Sequence, residues 1–170
     1  MTGATLRLWI EDYSQPLYRY AYRLSGSAAD ADDLVQETFR KAMQRSEQLR
    51  DETRARNWLF GILRNEYLLK LRDVARSKIV PTENLGDLPD RADGEEPEYN
   101  GASVQAALNA LDESFRTPLI LFYFDDMSYR DIAEQMDLPI GTVMSRLARA
   151  KVYLKEALTN PTTAAATTAR

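Results

Sequence analysis

The chain has 170 residues, of which 44% are hydrophobic and 28% are charged, and its formal net charge is −4. This composition is typical of a globular protein, and the length suits one medium domain or two small ones. The sequence contains no cysteine and no histidine. Their absence excludes disulfides, thiol nucleophiles, imidazole bases and the usual zinc ligands. Because the carboxylates also form no arrangement typical of a metal or acid–base site, we predict no enzyme, no cofactor and no metal.

The ends and the hydropathy of the chain indicate no membrane insertion. No stretch approaches the length of a transmembrane span. The first residues, MTGATLRLWIEDY, have no basic region ahead of an apolar core, so no signal peptide is predicted. We therefore expect a cytoplasmic protein.

The negative charge is concentrated in one short segment. Residues 81–100 carry seven acidic side chains and one basic side chain, whereas residues 1–80 carry 14 basic and 11 acidic side chains. The segments on either side are therefore not repelled from DNA as the total charge would suggest.

Apolar residues at helical spacing predict a first helix over Thr5 to Leu24. Pro16 interrupts the pattern, so we expect a kink or a restart capped by Ser14. Ser25-Gly26-Ser27 then ends this helix and caps the next. The residues expected on its inner face are Leu6, Ile10, Tyr13, Leu17, Tyr20 or Ala21, and Leu24.

A second helix is predicted over Ala28 to Leu49, and its first turns read Asp30-Ala31-Asp32-Asp33-Leu34-Val35-Gln36-Glu37-Thr38-Phe39. Acidic residues in a first turn favour the positive end of the helix dipole, so simple capping is one interpretation of Asp30 to Asp33. The expected buried residues are Leu34, Val35, Phe39, Ala42, Met43, Ser46 and Leu49. The expected solvent side includes Asp32, Asp33, Gln36 and Glu37.

A third helix is predicted over Arg54 to Ala75, with Trp58, Leu59, Ile62, Leu63 and Leu69 as its apolar positions. Around them lie Arg54, Arg56, Arg64, Lys70, Arg72 and Arg76. Basic side chains interleaved with planar groups suit single-stranded DNA, because cations follow phosphates while planar groups stack on bases. Trp58 taken alone suits a core position at least as well as a DNA contact.

The segment from Lys78 to Tyr99 contains prolines, glycines and the acidic run, which favours an extended, solvated linker. Beyond it, Ala102 to Leu111 predicts a fourth helix. A fifth follows with Ser114 as its cap and with Leu119, Ile120, Phe122, Tyr123 and Phe124 mostly in the core. The low-complexity residues from Thr159 to Arg170 predict a disordered tail.

Residues 127–151 predict two short helices joined by a tight turn. Ser128 is a good cap for the first helix, Asp137 suits the turn, and Pro139 suits the first position of the second helix. The residues expected to face inward are Ile140, Val143, Leu147, Ala150 and Leu154. The residues left to point elsewhere are Thr142, Ser145, Arg146, Arg149 and Lys151. Such a pair is typical of a helix-turn-helix, whose second helix can lie in the DNA major groove and present side chains to base edges. Short amphipathic helix pairs with surface arginines are also common without any DNA role.

Three segments resemble extracytoplasmic-function (ECF) RNA polymerase sigma factors. Gly141-Thr142-Val143-Met144-Ser145-Arg146-Leu147 with Arg149-Ala150-Lys151 resembles the family's string G-T-V-x-S-R-L-x-R-A-[RK], which reads the upstream (−35) element. Residues 30–39 resemble D-A-E-D-L-V-Q-E-T-F, which binds core polymerase. Residues 55–59 with Ile62 and Asn65 resemble the melting region, F-R-A-W-L-x-x-I-x-x-N. Two positions depart from the pattern: Met144 replaces a usual Lys or Arg, and Asp137 replaces a usual Gly.

The resemblance implies an all-α protein of two small helical domains joined by an extended acidic linker. Sigma region 2, a helical bundle, would span residues 1–78, the linker 79–101, sigma region 4 with its helix-turn-helix 102–158, and the tail 159–170. The implied partners are core RNA polymerase, through its beta-prime clamp helices, promoter DNA and an anti-sigma factor. The acidic linker would thread through the polymerase toward the RNA exit path, although a charge run more often serves only solubility.

The resemblance also implies a role for each site residue. The core polymerase-binding residues would be Asp32, Asp33, Leu34, Gln36, Glu37 and Phe39. The residues that hold the melted downstream (−10) element would be Arg54, Arg56, Asn57, Trp58, Arg64, Asn65 and Arg72, together with the preceding loop, Arg50 to Thr53. The −35 element would be contacted by Thr142, Ser145, Arg146, Arg149 and Lys151.

Two other classes of protein stay open. A dimeric regulator that binds a palindromic operator without polymerase would carry much the same helix-turn-helix. A protein that mimics a sigma factor to sequester a partner is compatible with Met144. The block at residues 30–39 and the basic third helix favour the sigma factor, because a simple repressor has no use for them.

Overall fold

A computed structural model of the chain describes residues 2–77 and 101–159. All regular secondary structure within these two ranges is helical. The ranges belong to two separate units, an N-terminal unit and a C-terminal unit. The predicted acidic linker and disordered tail lie outside the described residues, apart from their helical end residues Gly101 and Thr159. The domain boundaries therefore stay a prediction. None of the described helices is long and apolar enough to cross a membrane.

The N-terminal unit is a three-helix bundle. Helix α1 spans Gly3–Ser25, α2 spans Ala28–Gln44 and α3 spans Ala55–Ser77. Short 3₁₀ turns at Ser46–Gln48 and Glu52–Arg54 connect α2 to α3. Each of the three helices packs against the other two. Helix α2 thus ends earlier than predicted, because the chain tightens into the first 3₁₀ turn.

The junction between α1 and α2 forms as predicted. Gly26 has a φ of 68° and its N–H donates to the carbonyl of Tyr22, so α1 ends in the left-handed conformation that glycine adopts without steric cost. The Ser27 hydroxyl accepts a hydrogen bond of 3.2 Å from the backbone N–H of Asp30 and caps α2.

Pro16 does not interrupt α1, so the predicted restart at Ser14 is wrong. The helix continues through Pro16, and the Ser14 hydroxyl donates to the carbonyl of Ile10 within the helix instead of capping a new one. Proline removes one backbone hydrogen bond. Burial of Leu17 and Tyr20 immediately beyond it stabilises the continuous helix.

The core of the bundle lies between α1, α2 and α3. The fully buried rings of Tyr20 and Phe60 stack with centroids 4.9 Å apart. Near the start of α1, Trp9 is buried and its neighbour Ile10 is exposed. The predicted inward position of Ile10 is therefore wrong, because both residues are apolar and only the packing selects between them. Two other residues assigned to the core, Met43 and Leu69, are also exposed.

The described part of the C-terminal unit, residues 101–159, consists of four helices. Helix α4 spans Gly101–Ala110, α5 spans Glu113–Tyr123, α6 spans Tyr129–Met136 and α7 spans Ile140–Thr159. Helix α7 contacts all three others. Its buried residues are Val143, Leu147 and Ala150. Ile140, which we expected to face inward, is exposed.

Helix α5 is capped by Asp112 and not by Ser114. The Asp112 carboxylate accepts hydrogen bonds from the hydroxyl and the backbone N–H of Ser114, at 2.7 and 3.0 Å. These bonds lower the pKa of Asp112, because they favour its charged form. At the other end of α5, Tyr123 and Phe124 are exposed and do not join the core as predicted.

The helix-turn-helix has the predicted cap and turn. The Ser128 hydroxyl accepts a 3.1 Å hydrogen bond from the N–H of Asp131. Asp137 has φ 52° and ψ 52° and ends α6 in the left-handed conformation. The carbonyl of Pro139 accepts from the N–H groups of Thr142 and Val143, so Pro139 lies one residue before α7 and not at its first position.

The conformation of Asp137 predicts that Asp137→Gly stabilises the C-terminal unit by about 1 kcal/mol, because glycine has no Cβ to clash at positive φ. Hydrogen exchange followed by mass spectrometry should then slow about fivefold in peptides from α6 and α7. Peptides from α1 and α2 are the internal control. Faster exchange in the variant would mean that the Asp137 side chain stabilises the turn more than its backbone strain destabilises it.

Candidate functional site

One face of α7 is available to a ligand, because the other packs on the rest of the C-terminal unit. Burial of Val143, Leu147 and Ala150 directs the opposite face outward. Three of the five predicted −35 residues are exposed there or at its edge, namely Ser145, Arg149 and Lys151. An exposed guanidinium with a nearby hydroxyl can hydrogen-bond to base edges, and an exposed ammonium can contact phosphate.

Thr142 and Arg146 have a different environment. Both are half-buried. The Arg146 guanidinium donates to the backbone carbonyl of Ser114 at 3.4 Å, which ties α7 to the first turn of α5. It also contributes to the low pKa of Asp112, after the larger effect of the Ser114 hydrogen bonds. Arg146 therefore supports the packing of the C-terminal unit.

The predicted polymerase-binding residues on α2 fall into two groups. Asp32, Asp33 and Gln36 are exposed, whereas Leu34 is only 1% exposed and Phe39 only 8%. Glu37 is half-buried and pairs with Arg40, whose Nε donates to its carboxylate at 2.8 Å. This hydrogen bond lowers the pKa of Glu37. The polar residues of the set therefore lie together on one surface, whereas Leu34 and Phe39 lie in the bundle core.

Ion pairs join this acidic surface to α3. The Lys70 ammonium lies 3.4 Å from a carboxylate oxygen of Asp30 and 3.6 Å from one of Asp33. A second, largely buried pair joins Lys41 of α2 to Glu66 of α3. The sequence alone groups Lys70 with the predicted DNA-binding cations, because pairings between helices leave no local signal in the chain.

The outer face of α3 carries most of the predicted −10 residues. Trp58, Asn65 and Arg72 recur along the side of α3 opposite the buried Leu59 and Leu63. Asn57 lies beside them, and Arg54 lies in the 3₁₀ turn just before the helix. Trp58 is half-buried, with its ring edge-to-face against Trp9 at 6.0 Å and an interplanar angle of 67°. Packing against Trp9 holds this ring in place while part of it stays accessible.

Arg56 and Arg64 lie away from that outer face. The Arg56 guanidinium lies over the Phe60 ring, 4.7 Å from its centroid, in a cation–π contact. Arg64 is half-buried on the helix flank. Arg56 therefore packs against a core ring of the bundle, away from the predicted −10 residues of the outer face.

The loop before α3 is shaped by Asp51. Its carboxylate accepts hydrogen bonds from the hydroxyl and the backbone N–H of Thr53, at 2.6 and 3.0 Å, and these bonds lower the pKa of Asp51. The loop residues from Arg50 to Thr53 are exposed, so the loop presents a formed, polar surface next to the start of α3. The sequence predicts the position of this loop but gives no sign of the hydrogen bonds that Asp51 accepts within it.

No group of three or more acidic, histidine or cysteine side chains that could hold a metal ion occurs among residues 2–77 and 101–159. The candidate site consists instead of extended polar and basic surfaces. Surfaces of this kind suit macromolecular partners.

Two family models match the chain, one for each unit. Residues 9–77 match Sigma-70 region 2, and residues 102–154 match Sigma-70, region 4. The first match covers the three-helix bundle, and the second covers α4 to α6 and most of α7.

Similar proteins include several named sigma factors. The chain is 33% identical over 157 residues to the ECF RNA polymerase sigma factor SigE of Mycolicibacterium smegmatis. This match covers 88% of the present chain but only 60% of SigE. It is 30% identical to the RNA polymerase sigma factor SigV of Bacillus subtilis, with 93% of each chain covered. Among solved structures, the sigma factor RpoE of Bartonella quintana, in complex with the anti-sigma factor NepR, has a TM-score of 0.77 and 30% identity. The match covers 91% of this chain and 96% of RpoE.

A chain whose described residues form only helices, and which has these two regions in this order, has the architecture of a sigma factor. The chain belongs to the extracytoplasmic-function RNA polymerase sigma factor family.

The contrast between Arg146 and Arg149 can be tested through stability. Arg146→Ala removes the hydrogen bond to the Ser114 carbonyl and should destabilise the C-terminal unit by about 1 kcal/mol. Arg149→Ala removes an exposed side chain and should change stability by less than about 0.5 kcal/mol. Hydrogen exchange of α5 and α7 peptides measures both, and α1 peptides serve as control. Equal effects of the two substitutions would contradict the supporting role of Arg146.

Proposed function

We propose that the chain is an alternative sigma factor of the cytoplasm that binds core RNA polymerase and directs promoter-specific initiation, without catalytic chemistry of its own. One observation carries the proposal. A single chain that matches both sigma regions also exposes the polar residues of α2 in one unit and the Ser145 and Arg149 face of α7 in the other.

Core polymerase would be bound through the exposed side chains of α2. Asp32, Asp33 and Gln36 offer acidic and amide groups to the beta-prime clamp helices, and Arg40 orients the carboxylate of Glu37 beside them. Leu34 and Phe39 would act indirectly, because their burial keeps α2 packed on the bundle.

The melted −10 element would lie along α3 and the loop before it. Arg54 and Arg72 supply cations for phosphates, while the accessible part of Trp58 supplies a planar surface for bases. Asn57 and Asn65 can hydrogen-bond to base edges. The loop ordered by Asp51 is suited to receive a base turned out of the duplex, a step that costs only a few kcal/mol. Arg56 and Arg64 would support this face from beneath.

The −35 element would be read by α7. Ser145 and Arg149 face outward for base edges, and Lys151 with the half-buried Thr142 would contact phosphates. Arg146 would hold α7 against α5 and so set the angle at which the exposed face is presented.

An anti-sigma protein is the third proposed partner. The similar sigma factor RpoE was solved with the anti-sigma factor NepR, and this chain matches RpoE over nearly its full length. Because the chain contains no cysteine, any thiol-based redox sensing would have to lie in the partner.

Transcription from a genomic fragment library with purified chain and bacterial core polymerase tests the proposal. We expect discrete run-off transcripts that fall at least tenfold with Asp32→Arg, because a cation would replace an exposed acidic contact. Glu11→Arg makes the same change of charge at an exposed position on α1 and should leave transcription unchanged. Both positions are exposed, so neither substitution should unfold the bundle.

Transcripts that are insensitive to Asp32→Arg would contradict docking through α2. If no transcripts form and the chain alone binds palindromic DNA, the proposed sigma factor function is wrong and the chain is a free-standing regulator. Leu34→Arg is unsuitable for this test, because a charge at a buried position would disrupt the fold.

The roles proposed for Arg149 and Lys151 predict that replacing these two cations affects promoter binding in different ways. Arg149→Ala should reduce discrimination at one base pair of the −35 element by about tenfold, because base contacts specify. Lys151→Ala should weaken all promoters alike and lower the slope of log affinity against log salt by about 1, because phosphate contacts carry no sequence information. Promoter affinities of the holoenzyme at several salt concentrations measure both effects. Uniform losses across promoters for both variants would contradict the assigned roles.

A further inference from the structure

An exposed apolar row runs along α7. Ile140, Met144, Ala148 and Val152 follow one another at intervals of four residues, so they are neighbours on the helix surface. All four are exposed, Ile140 to 46%, Met144 to 50% and Val152 to 58%. Single exposed apolar residues are ordinary, but a continuous row on a surface that also carries Ser145 and Arg149 is typical of a binding face.

The start of α7 is the part of this row best placed to meet DNA. The first residues of a recognition helix contact base edges, and Ile140 and Met144 lie in the first two turns of α7. No acidic side chain occurs from Leu138 to Lys155, whereas Glu156 follows near the far end of the helix. Phosphate repulsion therefore opposes approach at Glu156 and not at Met144.

Met144 is long, flexible and uncharged, and it lies directly beside Ser145. It carries no charge to pair with a phosphate, so a contact between its side chain and DNA is an apolar one. The apolar group on base edges in the major groove is the C5 methyl of thymine. A methionine can adapt its rotamers to cover such a methyl group.

We propose that Met144, flanked by Ile140, contacts the C5 methyl of a thymine in the −35 element and thereby determines specificity at that base pair. The inference rests on the proposed function, because it requires α7 to enter the major groove. The inference assigns base recognition to residue 144, whose side chain carries no cation for a phosphate contact.

Deoxyuridine tests the contact, because it differs from thymidine only by the missing C5 methyl and keeps every hydrogen-bonding group. The holoenzyme is bound to promoters recovered from the run-off experiment, in which each −35 thymine on either strand is replaced singly by deoxyuridine. We expect one position at which the replacement weakens binding about fourfold, the effect of one buried methyl group.

Three variants assign that effect to its side chain. Met144→Ala should abolish the difference between thymine and uracil at this position, and Met144→Leu should retain most of it. Val152→Ala removes an equally exposed apolar side chain further along α7 and should leave the difference unchanged. Met144 is half exposed within a helix, so alanine there should not impair folding.

Two results would overturn the inference while leaving the proposed function intact: promoter-specific transcription with no position sensitive to uracil, or a uracil effect that survives Met144→Ala. A −35 element without any A·T pair would also overturn it. Loss of promoter-specific transcription from the unaltered chain would instead refute the proposed function itself.

Discussion

A helix in a small bundle can bury only one of its faces, and this constraint decides which side chains are left for partners. Burial of Val143, Leu147 and Ala150 directs Ser145 and Arg149 away from the C-terminal unit. In the N-terminal unit, the buried residues of α3 likewise leave Trp58 accessible on the outer face. The surfaces proposed to bind DNA are therefore consequences of core packing.

Ion pairs connect two of the proposed surfaces within the N-terminal unit. Lys41 with Glu66 and Lys70 with Asp30 and Asp33 join α2, which would bind polymerase, to α3, which would bind DNA. Removing one partner of the largely buried Lys41–Glu66 pair would leave an uncompensated charge, so this pair resists separation of the helices. The two surfaces thus have a defined geometry relative to each other inside one bundle.

Several helix caps and turns were predicted correctly from the sequence, because each depends on the residue type at one position. The glycine conformation at Gly26, the caps at Ser27 and Ser128 and the left-handed turn at Asp137 all follow from residue type and are confirmed. Predictions of burial were wrong where the packing of neighbouring helices determines which side chains are covered. Ile10 and Ile140 lie at the edges of apolar arcs, where periodicity allows burial but the surrounding helices leave them 41% and 46% exposed.

The sequence by itself determined that the chain is helical, where most helices begin and end, and which family its motifs resemble. Only the tertiary structure separated residues of one type into different roles. Arg149 points outward while Arg146 donates to the Ser114 carbonyl, and Arg56 covers the Phe60 ring. The physical reason is that the helical period fixes only the side of the helix from which a long side chain extends. The group that this side chain contacts depends on which neighbouring helix lies within its reach.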